Sequence, residues 1–158
     1  MSREIKAGTE KKIKELISRY PKKQAAILPV LHLVQRELGY ISEDEEKWIA
    51  GLLEINPVQV REVVTFYSML SRKPLGKYHI QICSNLTCSL MGAEKLIDYV
   101  SEKLGIKPGE TSEDGKYTLT TVECLGACDQ APTMMINTDY YGNMDKKKID
   151  KILKELDK

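Results

Sequence analysis

Four cysteines constrain this chain more than anything else in it: Cys83 and Cys88 with four residues between them, a gap of 35 residues, then Cys124 and Cys128 with three between them. Each pair lies where a strand-like run gives way to a loop, so two loops at one end of a sheet can each offer two thiolates to one site. In KYHIQIC, Tyr78, Ile80 and Ile82 alternate with His79, Gln81 and Cys83, the period of a half-buried strand. KYTLTTVE predicts a second strand and TMMIN a third, with a short fourth at Tyr140 and Tyr141. A helix carrying Leu90, Ala93, Ile97, Val100 and Leu104 is expected between the first two strands, ending at Gly105, and a closing helix is expected to bury Ile149, Ile152, Leu153 and Leu156.

Upstream of the cysteines the period is helical. Thr9 to Tyr20 carries Ile13, Leu16 and Ile17 on one side and stops at Pro21. QAAILPVLHLVQREL places Ile27, Leu31, Val34 and Leu38 in a stripe closed by Gly39, with Pro29 in its first turn or at a kink. Ser42 and Glu45 form a capping-box pattern ahead of Trp48, Ile49, Leu52 and Leu53; Asn56, Pro57 and Gln59 repeat the device ahead of Val60, Val63, Val64 and Tyr67. The expected fold class is α+β: an N-terminal four-helix bundle over residues 1–74, then an α/β domain with a small central sheet over residues 75–158, divided in SRKPLG near Pro74.

Composition excludes several functions. A net charge of +1 with no basic stripe gives nucleic acid nothing to bind. No apolar run approaches the roughly 20 residues of a membrane span, so no direct membrane insertion is expected. MSREIKAGTEKKIKEL has no apolar signal core, which points to a cytoplasmic protein, peripheral to a membrane only through a complex. Thiols stay reduced in that compartment, so four cysteines there indicate metal or redox chemistry rather than disulfides. Neither Gly-x-Gly-x-x-Gly nor a Walker-type lysine loop occurs, so nucleotide and hydride chemistry would belong to a partner.

Three chemistries suit the cysteines. A zinc-stapled, non-redox interaction module would use four thiolates, but its knuckles usually place two residues within a pair. A thiol-disulfide oxidoreductase would need Cys-x-x-Cys at a helix start, which is absent. A [2Fe-2S] cluster takes four cysteines from more widely spaced loops. Gly126 would let backbone N–H groups turn toward an anionic cluster, and Cys88 would stand at the N-terminus of the helix beginning SLMGAEKL. Glu123 and Asp129 read as solvated charges. His32 reads as a core or boundary residue and His79 as a surface one; neither is a ligand candidate beside four softer groups. Phe66, Tyr67, Ser68 and Met69 suit a docking surface or packing between bundle and sheet equally well. The run Lys146-Lys147-Lys148 reads as a solvated helix start.

CSNLTC followed by ECLGACDQAP resembles the signature of the thioredoxin-like [2Fe-2S] ferredoxins, in particular the 24 kDa-subunit branch of respiratory NADH dehydrogenase (complex I). PKKQAAILPVLHLVQRELGYI, WIAGLLEINPVQV and VREVVTFYSML are similar to the helical part of that branch, so the resemblance runs from about Tyr20 to the C-terminus. It implies a thioredoxin-like second domain carrying one [2Fe-2S] cluster on Cys83, Cys88, Cys124 and Cys128. It also implies an electron-transfer subunit without a complete active site of its own, beside a larger partner that binds FMN and NAD(H). The same branch serves complex I, NAD-linked bifurcating iron hydrogenases and formate dehydrogenases, and the sequence does not separate them. APTMMIN resembles the proline entry to a thioredoxin strand, from which a cis Ala131–Pro132 bond is expected.

Overall fold

The computed structural model describes residues 5–157; residues 1–4, the start of the N-terminal stretch read above, and residue 158 lie outside that range. The chain divides into two compact units after Pro74.

In the first unit, α1 (Ala7–Ile17), α2 (Ile27–Leu38), α3 (Glu43–Leu53) and α4 (Pro57–Phe66) enclose one apolar core that includes Ile13, Val30, Leu31, Val34, Ile49, Leu53, Val60 and Val64. A 3-10 turn over Lys23–Ala26 precedes α2, which begins at Ile27, where the apolar stripe begins, and holds Pro29 in its first turn. The two cap patterns hold. Ser42 accepts from the Asp44 N–H while Glu45 accepts from the Ser42 N–H at 2.8 Å; Asn56 accepts from the Val58 N–H at 2.9 Å while Gln59 accepts from the Asn56 N–H at 3.1 Å.

Beyond α4 the chain folds back over its own unit. The Gln35 side chain donates to Met69 O at 2.8 Å and accepts from Ser71 N–H at 2.7 Å, and Ile41 N–H donates to Ser71 O at 2.8 Å. Leu70 is buried beneath this strap, whereas Phe66, Tyr67 and Met69 are exposed. Glu46 is also buried, and its carboxylate takes Arg61 Nε at 2.9 Å and Arg72 Nε at 2.6 Å.

In the second unit, β1 (Tyr78–Cys83), β2 (Tyr117–Val122), β3 (Met134–Ile136) and β4 (Asp139–Tyr141) form one sheet in the order β2-β1-β3-β4. β1 and β2 are parallel, with Cys83 opposite Val122; β1 and β3, and β3 and β4, are antiparallel. The crossover from β1 to β2 is helical, and α6 (Ala93–Leu104) packs on both strands and against α7 (Lys146–Leu156). Ile80, Ile82, Leu96, Val100, Leu119, Met134 and Ile149 form this unit's core.

Several expectations change. The single helix after β1 is two: α5 (Leu86–Leu90) ends at a left-handed Gly92 (φ +93°) before α6 begins. Cys88 therefore lies in the middle of a five-residue helix capped by Asn85, and a long-helix dipole behind it drops out. β1 is buried on both faces toward its end, Gln81 and Cys83 included, because it is flanked by strands on each side and covered rather than half-exposed. His79 is half-buried, with Nε2 2.8 Å from Thr120 Oγ1. Lys148 is tied by Nζ to the carbonyls of Gly142 (3.1 Å) and Asn143 (2.9 Å), closing the turn before α7. The Ala131–Pro132 bond is cis, as expected. Among the described residues no helix is long and apolar enough to cross a membrane.

Candidate metal centre

The parallel register of β1 and β2 sends both cysteine loops out of the same end of the sheet. Cys83 is the last residue of β1, and Cys124 follows the end of β2 by two. The segment leading into β3 is bound to the same place: Cys83 N–H donates to Thr133 O at 3.1 Å, while Ser84 N–H donates to Val122 O at 2.9 Å. Three stretches of backbone thus surround the Cys83 position.

Cys83 and Cys88 are both buried, and each thiol acts on the protonation of the other. The second loop reaches this pair through its backbone: the Cys83 thiol faces Glu123 O at 3.8 Å, and the N–H groups of Asn85 and Leu125 favour its ionised form. Burial pushes the Cys83 thiol above its ordinary pKa, outweighing those donors. Burial acts on Cys88 in the same sense, but the hydroxyl and N–H of Thr133, together with the Cys83 thiol, outweigh it and bring Cys88 below the ordinary value. Thr133 Oγ1 lies 3.4 Å from Cys88 Sγ.

Cys124 and Cys128 are exposed, on the irregular stretch between β2 and β3. Cys124 Sγ accepts from Gly126 N–H at 3.2 Å, a turn that needs the left-handed φ of +72° at Gly126. Cys128 opens a 3-10 turn that runs to Gln130, whose carbonyl accepts from Asn143 N–H at 2.6 Å. Among the described residues, no three His, Cys, Asp or Glu side chains converge on one metal position. The structure therefore buries Cys83 and Cys88 together and joins the second loop to Cys83 through backbone. Glu123 and Asp129 are exposed, consistent with solvated charges, and His32 is half-buried on α2.

The donor set fits an anionic iron-sulfur cluster. Gly126 N–H points at Cys124 Sγ, and the N–H groups of Asn85 and Leu125 at Cys83 and of Thr133 at Cys88 favour the ionised thiols, the kind of backbone cradle that favours negative charge. Sequence spacing located the sulfurs but not these donors. Asn85 carries a readable signal, an N-cap residue before a helix; Leu125 acts through its backbone and Thr133 through tertiary contact, and neither leaves a pattern in the chain.

Two cysteine loops at one end of a β2-β1-β3-β4 sheet, with a cis proline entering β3, define a thioredoxin-like protein whose thiols are arranged around a site other than a Cys-x-x-Cys dithiol. The chain matches the model of the thioredoxin-like [2Fe-2S] ferredoxins over residues 13–157, and it belongs to that family; its group is a [2Fe-2S] cluster, and the zinc and dithiol readings fall away. It is 41% identical over 141 residues to an NADH-quinone oxidoreductase subunit from Rhizobium meliloti (strain 1021), covering 89% of this chain and 84% of that one. It is 42% identical over 142 residues to the corresponding NADH-quinone oxidoreductase subunit from Aquifex aeolicus (strain VF5), covering 90% and 89%. Among solved structures it resembles an NAD+-reducing [NiFe]-hydrogenase in the air-oxidized state with a TM-score of 0.72 at 20% identity, covering 84% of this chain but only 23% of the hydrogenase chain, a likeness of fold.

Proposed function

We propose that this chain is the electron-transfer subunit of an NAD(H)-dependent oxidoreductase complex, with Cys83, Cys88, Cys124 and Cys128 as the ligands of its [2Fe-2S] cluster. The observation that carries the ligand set is the approach of the Cys83 thiol to Glu123 O at 3.8 Å, which ties the loop bearing Cys124 and Cys128 to the Cys83–Cys88 pair. When bound, the cluster supplies a one-electron carrier. Cys83 and Cys88 would hold it from buried positions, and Cys124 and Cys128 from exposed ones that a partner can approach.

We read residues 1–74 as a four-helix bundle and residues 75–158 as the cluster-binding domain. The partner is a larger subunit that binds FMN and NADH, as the names of the relatives support by placing them in NADH-quinone oxidoreductases. Leu86, Leu90 and Met91 are exposed on and just after the short helix that carries Cys88, an apolar rim of the kind a subunit interface covers. The chain itself contributes no hydride chemistry.

Co-expression with a candidate flavin subunit tests this. The two chains are expected to co-purify, and NADH is expected to reduce the cluster of the complex but not that of the isolated chain. Reduction of the isolated chain by NADH alone would overturn the division of labour.

A further inference from the structure

Thr133 touches both buried cysteines through two of its atoms. Its carbonyl accepts from Cys83 N–H at 3.1 Å, and its hydroxyl lies 3.4 Å from the Cys88 sulfur. The residue is only 2% exposed, so water does not reach the hydroxyl to replace this contact. Between a free thiol and a hydroxyl either atom can be the donor. A cysteine bound to iron has no proton, so toward a ligating Cys88 the hydroxyl is left with one role, that of donor.

We propose that Thr133 is a positioning residue for electron transfer, its hydroxyl donating to the Cys88 sulfur and holding the reduced cluster more stable than backbone donors alone would. The proposal rests on the ligand set assigned above. An added electron increases the negative charge on the cluster and its sulfurs, and a fixed donor in a buried site stabilises the reduced state more than the oxidised one. The midpoint potential therefore rises with the bond and falls without it. The opposing possibility is that Thr133 only fills space after Pro132.

Thr133→Val keeps shape, N–H and carbonyl while removing the hydroxyl; Thr133→Ser restores it. The test is an EPR-monitored redox titration of the full chain purified anaerobically. At the wild-type midpoint, the reduced-to-oxidised ratio is expected to fall about threefold to tenfold in Thr133→Val and to stay within about twofold in Thr133→Ser, as the net worth of one intramolecular hydrogen bond suggests. The deuterium sensitivity of the iron–sulfur stretching bands is expected to shrink in Thr133→Val alone. If Thr133→Val loses the cluster while Thr133→Ser keeps it, the hydroxyl is again supported as the partner of Cys88. Equal potentials in wild type and Thr133→Val, or loss of the cluster in both variants, would overturn the proposal and leave the ligand set standing. A wild type that assembles no [2Fe-2S] cluster would overturn both.

Discussion

At Gly126 the requirement is conformational. Its φ is +72°, yet an added Cβ would meet nothing within 4 Å, so a side chain there fits in space while the backbone resists it. A left-handed L-residue costs about 1–2 kcal/mol, and a β-branched one sits at the high end. Ala127 next door has an ordinary φ of −125°. Gly126→Val is therefore expected to lose its cluster to a chelator faster than Ala127→Val, with Gly126→Asn in between, followed by the bleaching of visible absorbance; equal rates would contradict the turn that aims Gly126 N–H at Cys124. His79 gives a second test at this scale. Burial holds its imidazole below the ordinary histidine pKa. The folded state then binds fewer protons than the unfolded one, so this contribution is intact above the unfolded pKa of about 6.5 and is lost as pH falls below it toward the folded value. Between about pH 7.5 and pH 5.5, wild type is expected to lose more urea stability than His79→Gln. An NMR titration placing His79 at or above the free value would remove the cause.

Among the elements, the joint between α3, α4 and the strap depends on Glu46. Its carboxylate is 1% exposed, while Arg61 and Arg72 are 44% and 39% exposed. Removing Arg72 leaves a buried charge with one partner fewer, a cost of about 1–3 kcal/mol, whereas breaking the exposed Lys23–Glu54 pair costs under about 1 kcal/mol. Urea unfolding of Arg72→Ala and Lys23→Ala should show that order, and equal losses would count against the strap as part of the helical unit. The caps at Ser42 and Asn56 were legible because capping is local: the residues that satisfy the first N–H groups lie within three positions of one another. Glu46 was not, since its partners are 15 and 26 residues away and its place on a charged stretch reads as solvated. The break between α5 and α6 was missed because apolar residues keep a helical spacing across Gly92, and only the backbone there turns left-handed. That both cysteine loops leave one end of the sheet was legible from their place at strand ends, and the groups around the thiols were not, because Leu125 and Thr133 reach the cysteines through the pairing of strands distant in sequence.

On the scale of the whole molecule, the chain combines a helical unit and a sheet unit with separate cores, and the ligand set proposed above assigns the electron-carrying chemistry to the second. Family membership supplies the cluster; the parallel β1–β2 register supplies the reason two distant cysteine pairs leave one end of the sheet. The central claim is that both pairs are needed by one site. The most direct measurement is iron and acid-labile sulfide content, with EPR after one-electron reduction, on full-length chain purified anaerobically as wild type, as Cys83→Ala/Cys88→Ala and as Cys124→Ala/Cys128→Ala. Wild type is expected to hold about two iron and two sulfide and to give a signal on reduction, with both double variants silent and empty. A colourless wild type holding zinc without iron, or a full cluster retained without Cys124 and Cys128, would contradict it.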